Sequence, residues 1–94
     1  MTKRILIVDD HPLMREGLAA RIAPQSDMEV CGEAASVDEA IAQVKATNPD
    51  LLIVDIALAE SHGIDLIKDV KARFPKIKML VVSAHDESLK RRAS

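Results

Sequence analysis

The sequence is poor in cysteine, aromatic residues and glycine, and each shortage excludes a class of protein. A single cysteine, Cys31, rules out an internal disulfide framework and fits a reducing compartment. With no tryptophan or tyrosine and only Phe74 as an aromatic residue, the core must be aliphatic, which is ordinary for helices packed on a parallel sheet. The three glycines, Gly17, Gly32 and Gly63, form neither a phosphate-binding nor a dinucleotide-binding loop.

The charge pattern and the short apolar runs exclude further classes. Acidic and basic residues are interspersed, and the formal net charge is -2, so the sequence predicts neither a nucleic-acid surface nor a membrane patch. No apolar run approaches the roughly 20 residues that span a bilayer, and the chain opens with no signal-peptide core. We therefore expect one small cytoplasmic domain over residues 1–94.

Apolar runs alternate with segments of helical period along the chain. The runs predicted to form strands are 5–8, 28–33, 51–54 and 77–82. The segments predicted to form helices are 12–22 and 63–74, with a third between them. This third segment begins at a capping box at Ser36 and stops at Asn48. Because strands and helices alternate, we expect a parallel sheet with helices on both faces.

The second predicted strand alternates apolar and polar residues, a pattern typical of a sheet edge with one face partly wet. Its apolar positions include Met28 and Val30, whereas Glu29, Cys31 and Glu33 fall on the other side. The alternation therefore predicts that Cys31 lies on the solvent-facing side as a structural or bystander thiol.

Polar side chains follow three of the predicted strands. Asp9 and Asp10 come directly after the first strand, Asp55 after the third and Ser83 after the fourth. In a parallel sheet these strand ends meet at one rim, where open α/β sheets bind ligands. Three carboxylates gathered there repel one another unless a cation joins them, and a hard ion such as Mg²⁺ or Mn²⁺ suits their oxygen atoms. Asp55 could then attack a phosphoryl group as an oxygen nucleophile.

The sequence also resembles a known family. Residues 8–18, Val-Asp-Asp-His-Pro-Leu-Met-Arg-Glu-Gly-Leu, are similar to the opening of receiver domains from response regulators of the LuxR/FixJ type. Asp55 and Gly63 stand at that family's phosphoacceptor and glycine positions, and Ser83 with Ala84 matches its hydroxyl and small residue after the fourth strand. The resemblance covers nearly the whole chain and implies a flavodoxin-like (CheY-like) doubly wound parallel sheet.

The resemblance implies a function as well. A receiver domain accepts a phosphoryl group, here on Asp55, from a sensor histidine kinase or a phosphotransfer protein, and it is not a dedicated enzyme. The resemblance places the divalent metal on Asp9, Asp10, Asp55 and the backbone carbonyl of Ala57, and gives the Ser83 hydroxyl a contact with a phosphoryl oxygen. Such domains normally control transcription through a separate output domain.

The sequence departs from the family after the fourth strand. Counterparts of the family's fifth strand, which carries a lysine that contacts the phosphoryl group, and of its fifth helix are missing, so we expect a truncated receiver without a DNA-binding domain. The run 77–82 would then form an apolar sheet edge, through which self-association is expected. One alternative is a receiver-derived interaction module that no longer switches. Another, a small-ligand enzyme on a flavodoxin-like sheet, is disfavoured because a glycine-rich phosphate loop is missing.

Two simpler interpretations remain open for residues near the predicted rim. Asp10 is a candidate N-cap of the first helix, a role compatible with metal binding. His11, His62 and His85 each follow a strand but lack metal-ligand spacing, so we interpret them as rim histidines rather than a transition-metal site.

Overall fold

A computed structural model describes residues 2–55 and 64–82 of the chain. In chain order the elements are β1 (Lys3–Val8), α1 (Pro12–Ile22), β2 (Met28–Ala34), α2 (Val37–Thr47), β3 (Leu51–Asp55), α3 (Ile64–Arg73) and β4 (Lys78–Val82). The predicted alternation of strands and helices is confirmed, with bounds that move by one or two residues. Among the described residues, the helices are all too short or too polar to cross a membrane.

The four strands form one parallel sheet in the order β2-β1-β3-β4. The two central strands, β1 and β3, are the ones with almost continuous apolar sequence, because both of their faces are covered. β2 lies at one edge, as its alternating sequence predicts. The order and direction of the strands confirm the expected flavodoxin-like fold.

Alternate side chains of the sheet divide the core into two aliphatic clusters. The cluster between the sheet and helices α2 and α3 contains Leu6, Val8, Ala34, Ala40, Val44, Leu52, Val54, Leu66 and Val70. The cluster on the α1 side contains Ile5, Ile7, Ile22 and Ile53. Burial of one such large aliphatic side chain contributes about 1.5–3 kcal/mol, so these two clusters supply the main stabilisation of the fold.

A β-bulge interrupts β2. Its pairing with β1 joins Ile5 to Val30 but Leu6 to Gly32, so Cys31 is the extra residue. Cys31 is half-buried and packs against the cluster under α2. The prediction that Cys31 lies on the solvent-facing side is therefore wrong, because the bulge breaks the alternation on which it rested.

The ends of α2 follow the capping signals in the sequence. Ser36 is the N-cap, and its Oγ accepts a hydrogen bond from the backbone N–H of Glu39 at 3.2 Å. The carboxylate of Glu39 accepts in turn from the N–H of Ala35 at 3.3 Å, one residue before the position expected of a capping box. Asn48 ends the helix in the left-handed region with φ 49°, a conformation that asparagine tolerates better than most residues.

Candidate metal site

The register between the two central strands brings two aspartates to the same rim. Val8 of β1 pairs with Val54 of β3, so Asp9 and Asp55 are the next residue along each strand. Both are almost completely buried, each with 1% of its surface exposed, whereas Asp10 is exposed. Ligand atoms of Asp9, Asp10, Asp55 and His11 all lie within 4.8 Å of one another. The rim thus gathers the three aspartates that the sequence analysis selected, together with a histidine.

Positive charge nearby would stabilise the two carboxylates that are buried side by side. Desolvation and mutual repulsion both disfavour the ionised forms unless a cation compensates. Oδ2 of Asp9 is buried and has no hydrogen-bond partner within residues 2–55 and 64–82. A buried oxygen of this kind, beside further carboxylate oxygens, is what a hard divalent cation binds. The residues therefore fit Mg²⁺ or Mn²⁺.

His11 lies among the carboxylates of the rim. Its Nδ1 is 2.8 Å from Oδ1 of Asp9, 2.9 Å from Oδ1 of Asp10 and 3.9 Å from Oδ2 of Asp55. Its backbone N–H also donates to Oδ1 of Asp9 at 2.8 Å. The side-chain hydrogen bond to Asp9 raises the pKa of His11 above its usual value, the negative charges of the aspartates add to this, and desolvation opposes it.

The start of α1 differs from the simpler interpretation of Asp10. The N-cap is His11, whose side chain makes no capping hydrogen bond, and Pro12 occupies the first turn, where its fixed φ is suitable. The hypothesis that Asp10 caps α1 is therefore wrong. The backbone of His11 enters the helix as its N-cap, and the His11 ring contacts Asp9. The Asp10 side chain therefore remains at the rim.

Arg15 reaches back from α1 to the end of β1, a contact that the sequence analysis missed. Its Nη1 donates to the backbone carbonyl of Asp9 at 2.6 Å, and its Nε donates to Oε1 of Glu33 at 3.2 Å. In the sequence, Arg15 stands out only as part of the family motif over residues 8–18. Its position at the end of the first helical turn was the available signal, since a long side chain there can reach the preceding strand end.

Several predicted site residues lie outside the described residues. They are Ala57, Gly63 and Ser83, together with the rim histidines His62 and His85. Lys78 begins β4 in register with Leu51, at the end of the sheet opposite to Asp55.

Comparison with known proteins identifies the family. The family described as "Response regulator receiver domain" matches residues 5–94. The chain belongs to this family. Receiver domains bind Mg²⁺ at an acidic pocket, and the described residues of this receiver contain such an aspartate cluster. Receiver domains also interact with histidine kinases or phosphotransfer proteins.

Individual relatives of this receiver are response regulators. It is 38% identical over 87 residues to the response regulator protein VraR of Staphylococcus aureus (strain Mu3 / ATCC 700698), a match that covers 93% of this chain and 42% of VraR. The solved response regulator domain of Thermotoga maritima CheB superposes with a TM-score of 0.80 at 32% identity, over 93% of this chain and 64% of that one.

A two-component response regulator of the LuxR family from Aurantimonas sp. SI85-9A1 gives the same TM-score of 0.80 at 30% identity, over 98% of this chain and 66% of that one. This likeness agrees with the LuxR-type resemblance of residues 8–18. The match to VraR covers 42% of that protein, so this receiver spans less than half the length of the VraR proteins.

Proposed function

We propose that this receiver domain accepts a phosphoryl group on Asp55 while Asp9, Asp10 and Asp55 bind Mg²⁺ or Mn²⁺. The observation that carries the proposal is the gathering of these carboxylates within 4.8 Å at the carboxyl-terminal rim of the sheet. Mg²⁺ in proteins commonly takes one or two carboxylates together with phosphate oxygens. The backbone carbonyl of Ala57 and the hydroxyl of Ser83 are the further contacts that we propose, to the metal and to a phosphoryl oxygen respectively.

The proposed reaction transfers a phosphoryl group between two proteins. A carboxylate oxygen of Asp55 attacks the phosphorus, the bond from phosphorus to the phosphohistidine nitrogen of the donor breaks, and that nitrogen keeps the electron pair. The product is an aspartyl phosphate on Asp55 and a histidine on the donor. When bound, the divalent cation supplies positive charge for the phosphoryl oxygens.

The residues around Asp55 favour this reaction through position and burial. Asp55 ends the central strand β3 with its carboxylate shielded from water, so the nucleophile is held by the sheet rather than by a loop. Asp9 is oriented by the hydrogen bond that its Oδ1 accepts from the backbone N–H of His11 at 2.8 Å. Such prior organisation lowers the cost of arranging ligands around the phosphoryl group.

The wider role follows from the relatives. We propose that the donor is a sensor histidine kinase or a phosphotransfer protein, and that the phosphorylated receiver controls transcription through a separate output domain. The names of VraR and of the LuxR-family protein support a regulatory role. We further propose a cytoplasmic location, which the single cysteine favours, no direct contact with nucleic acid, and no enzymatic activity beyond self-phosphorylation.

The second candidate function is a partner-docking module that no longer switches. Leu13, in the first turn of α1, is 81% exposed beside the carboxylate rim. An exposed leucine at this position would suit contact with a partner protein, whether or not phosphorylation occurs. Phosphorylation therefore separates the two candidates.

Self-association through β4 is a separate proposal, compatible with either candidate function. Within the described residues β4 pairs only with β3, and Leu80 and Val81 are 50% and 42% exposed. An apolar strand with unpaired backbone groups recruits other strands. We propose that two copies pair along β4.

The central proposal is tested by phosphorylation in vitro. The protein is incubated with Mg²⁺ and acetyl phosphate, and its intact mass is followed with and without EDTA. We expect one phosphoryl adduct in the wild type, none in Asp55→Asn, and an unchanged adduct in Asp69→Asn, which alters an exposed aspartate of α3. A wild type that binds metal but gains no adduct would contradict the phosphoacceptor role and favour the docking module.

A further inference from the structure

We infer that Arg15 is a positioning residue for the metal site, since it fixes the segment of main chain that carries Asp9 and Asp10. This inference rests on the proposed metal-binding function of that site. Arg15 does not need to touch the metal. Its role is to hold the turn between β1 and α1 in the conformation that presents both carboxylates.

The first support is the pair of hydrogen bonds that Arg15 makes. Nη1 donates to the carbonyl oxygen of Asp9 at 2.6 Å, and Nε donates to the carboxylate of Glu33 on β2 at 3.2 Å. The Asp9 carbonyl and the Asp10 N–H belong to one planar peptide group. A bond that fixes the carbonyl direction therefore also fixes where the chain enters Asp10.

The second support is that both peptide groups around Asp9 are tied to the end of β2. On the amino side, the N–H of Asp9 donates to the carbonyl of Ala34 at 2.9 Å. On the carboxyl side, the carbonyl of Asp9 is held by Arg15, which is itself held by Glu33, the residue before Ala34. The backbone of Asp9 is thus clamped from both sides before any metal binds.

The third support is the position of Arg15 within α1. It is the fourth helical residue, in a first turn that contains no acidic side chain, where the positive end of the helix dipole disfavours a cation. The bonds to Glu33 and to the Asp9 carbonyl offset this unfavourable placement. A guanidinium can make both because its planar fork presents Nε and Nη1 in fixed directions, whereas a lysine ammonium presents only one centre.

A purely structural surface salt bridge is the competing explanation. The Arg15 side chain is 19% exposed and that of Glu33 is 42% exposed, and a partly exposed ion pair of this kind contributes about 0–1 kcal/mol to stability. The two explanations differ in what the loss of Arg15 changes. A positioning residue alters metal affinity more than stability, whereas a structural ion pair alters stability alone.

The test measures Mn²⁺ binding to the full chain by electron paramagnetic resonance, with thermal unfolding by far-UV circular dichroism in EDTA as a check on folding. We expect Arg15→Gln to weaken Mn²⁺ binding by about 10-fold, the size of effect seen when a residue supporting a metal ligand is lost. Arg15→Lys should recover part of the loss, and Glu33→Gln should fall between Arg15→Gln and the wild type. Arg21→Gln, which removes an exposed arginine from the same helix, should bind as the wild type does.

A second measurement reports on the backbone contacts of Asp9 in the absence of metal. In EDTA, nuclear magnetic resonance should show that Arg15→Gln shifts the carbonyl carbon of Asp9 and the amide of Asp10, while Arg21→Gln leaves both in place. If Arg15→Gln does not fold, Arg15→Lys and Glu33→Gln carry the same comparison.

The outcomes separate this inference from the function on which it rests. Wild-type binding with unchanged affinity in Arg15→Gln would overturn the positioning role and leave the metal site intact. A wild type that binds no Mn²⁺ would overturn the proposed function and the effect of Arg15 on metal affinity together. In that case, an unchanged chemical shift of the Asp9 carbonyl carbon in Arg15→Gln would also contradict the claim that Arg15 holds this carbonyl.

Discussion

The imidazole of His11 lies against the carboxylate of Asp9, with Nδ1 2.8 Å from Oδ1. The same nitrogen is 2.9 Å from Oδ1 of Asp10, so one hydrogen-bond donor lies between two of the carboxylates that we propose as metal ligands. A cation bound to these carboxylates would therefore compete with the ring for their negative charge.

The first prediction follows from this competition. His11→Ala should bind Mg²⁺ more tightly than the wild type, by roughly twofold to fivefold, the range expected when one ionic contact with a partly exposed partner is removed. The helix should survive the change, because the His11 side chain makes no capping bond to α1. Isothermal titration calorimetry at one fixed pH measures the effect.

A neighbouring substitution serves as the control for His11. Leu13→Ala removes an exposed side chain from the first turn of α1 and should leave Mg²⁺ affinity unchanged. Clearly weaker binding by His11→Ala would contradict the competition and would instead make the imidazole a metal ligand.

The second prediction concerns repulsion between the buried carboxylates of Asp9 and Asp55. Two unit charges about 5 Å apart repel by about 3 kcal/mol at an effective dielectric constant of about 20, and His11 offsets part of this. In EDTA, Asp55→Asn should therefore raise the free energy of unfolding by about 1 kcal/mol. In Mg²⁺ the order should reverse, because only the wild type retains the full set of carboxylate ligands and gains their binding energy.

Urea unfolding followed by far-UV circular dichroism measures this reversal, since the chain has no tryptophan or tyrosine for fluorescence. Asp69→Asn, at an exposed site on α3, should show the same small change in both buffers. If Asp55→Asn raised the free energy of unfolding equally with and without Mg²⁺, Asp55 would not contribute to Mg²⁺ binding. No rise in EDTA would contradict the repulsion between the two carboxylates.

Much of the fold and the position of the carboxylates could be predicted from the sequence. The runs that became β1 and β3 are buried on both faces, so they are apolar throughout and end visibly at Asp9 and Asp55. Once the strands are parallel, those two residues must share a rim. Ser36 and Asn48 likewise mark the ends of α2 in the sequence, because serine is a preferred N-cap and asparagine tolerates the left-handed conformation at a helix end.

The details that the sequence did not reveal depend on geometry beyond a repeating pattern. The bulge at Cys31 adds one residue to β2 and ends the alternation, and its sequence signal is a single glycine, Gly32, directly after Cys31. The contacts of His11 and Arg15 depend on how the chain enters α1 and on which rotamers that turn permits. Such contacts can be proposed from the sequence only after the turn itself is known.

The third prediction contrasts two glycines that have different surroundings. A methyl group on Gly17 would meet nothing within 4 Å, so Gly17→Ala should stabilise α1 by about 0.5–1 kcal/mol through its better helix propensity. A methyl group on Gly32 would lie 2.7 Å from Oε1 of Gln43 and 3.2 Å from Cδ1 of Leu6. Gly32→Ala should therefore destabilise the protein by about 1 kcal/mol, the lower range for overpacking.

Thermal unfolding of the two variants gives opposite shifts if this interpretation is correct. Because the Gln43 side chain can move more easily than buried Leu6, Gln43→Ala in the Gly32→Ala background should restore only part of the loss. Full recovery would show that the contact with Leu6 costs nothing.

The fourth prediction tests self-association through β4. Leu80 is 50% exposed and lies in register with Ile53, so its side chain is on the α1 face of the sheet at the edge of the described strands. Size exclusion with light scattering should show a dimer for the wild type at micromolar concentrations and a monomer for Leu80→Lys, because a lysine on an edge strand opposes pairing. Ser26→Lys, which adds the same charge at an exposed turn, should remain dimeric. A wild type that stays monomeric over this range would show that the exposed apolar side chains of β4 are insufficient to recruit a second copy.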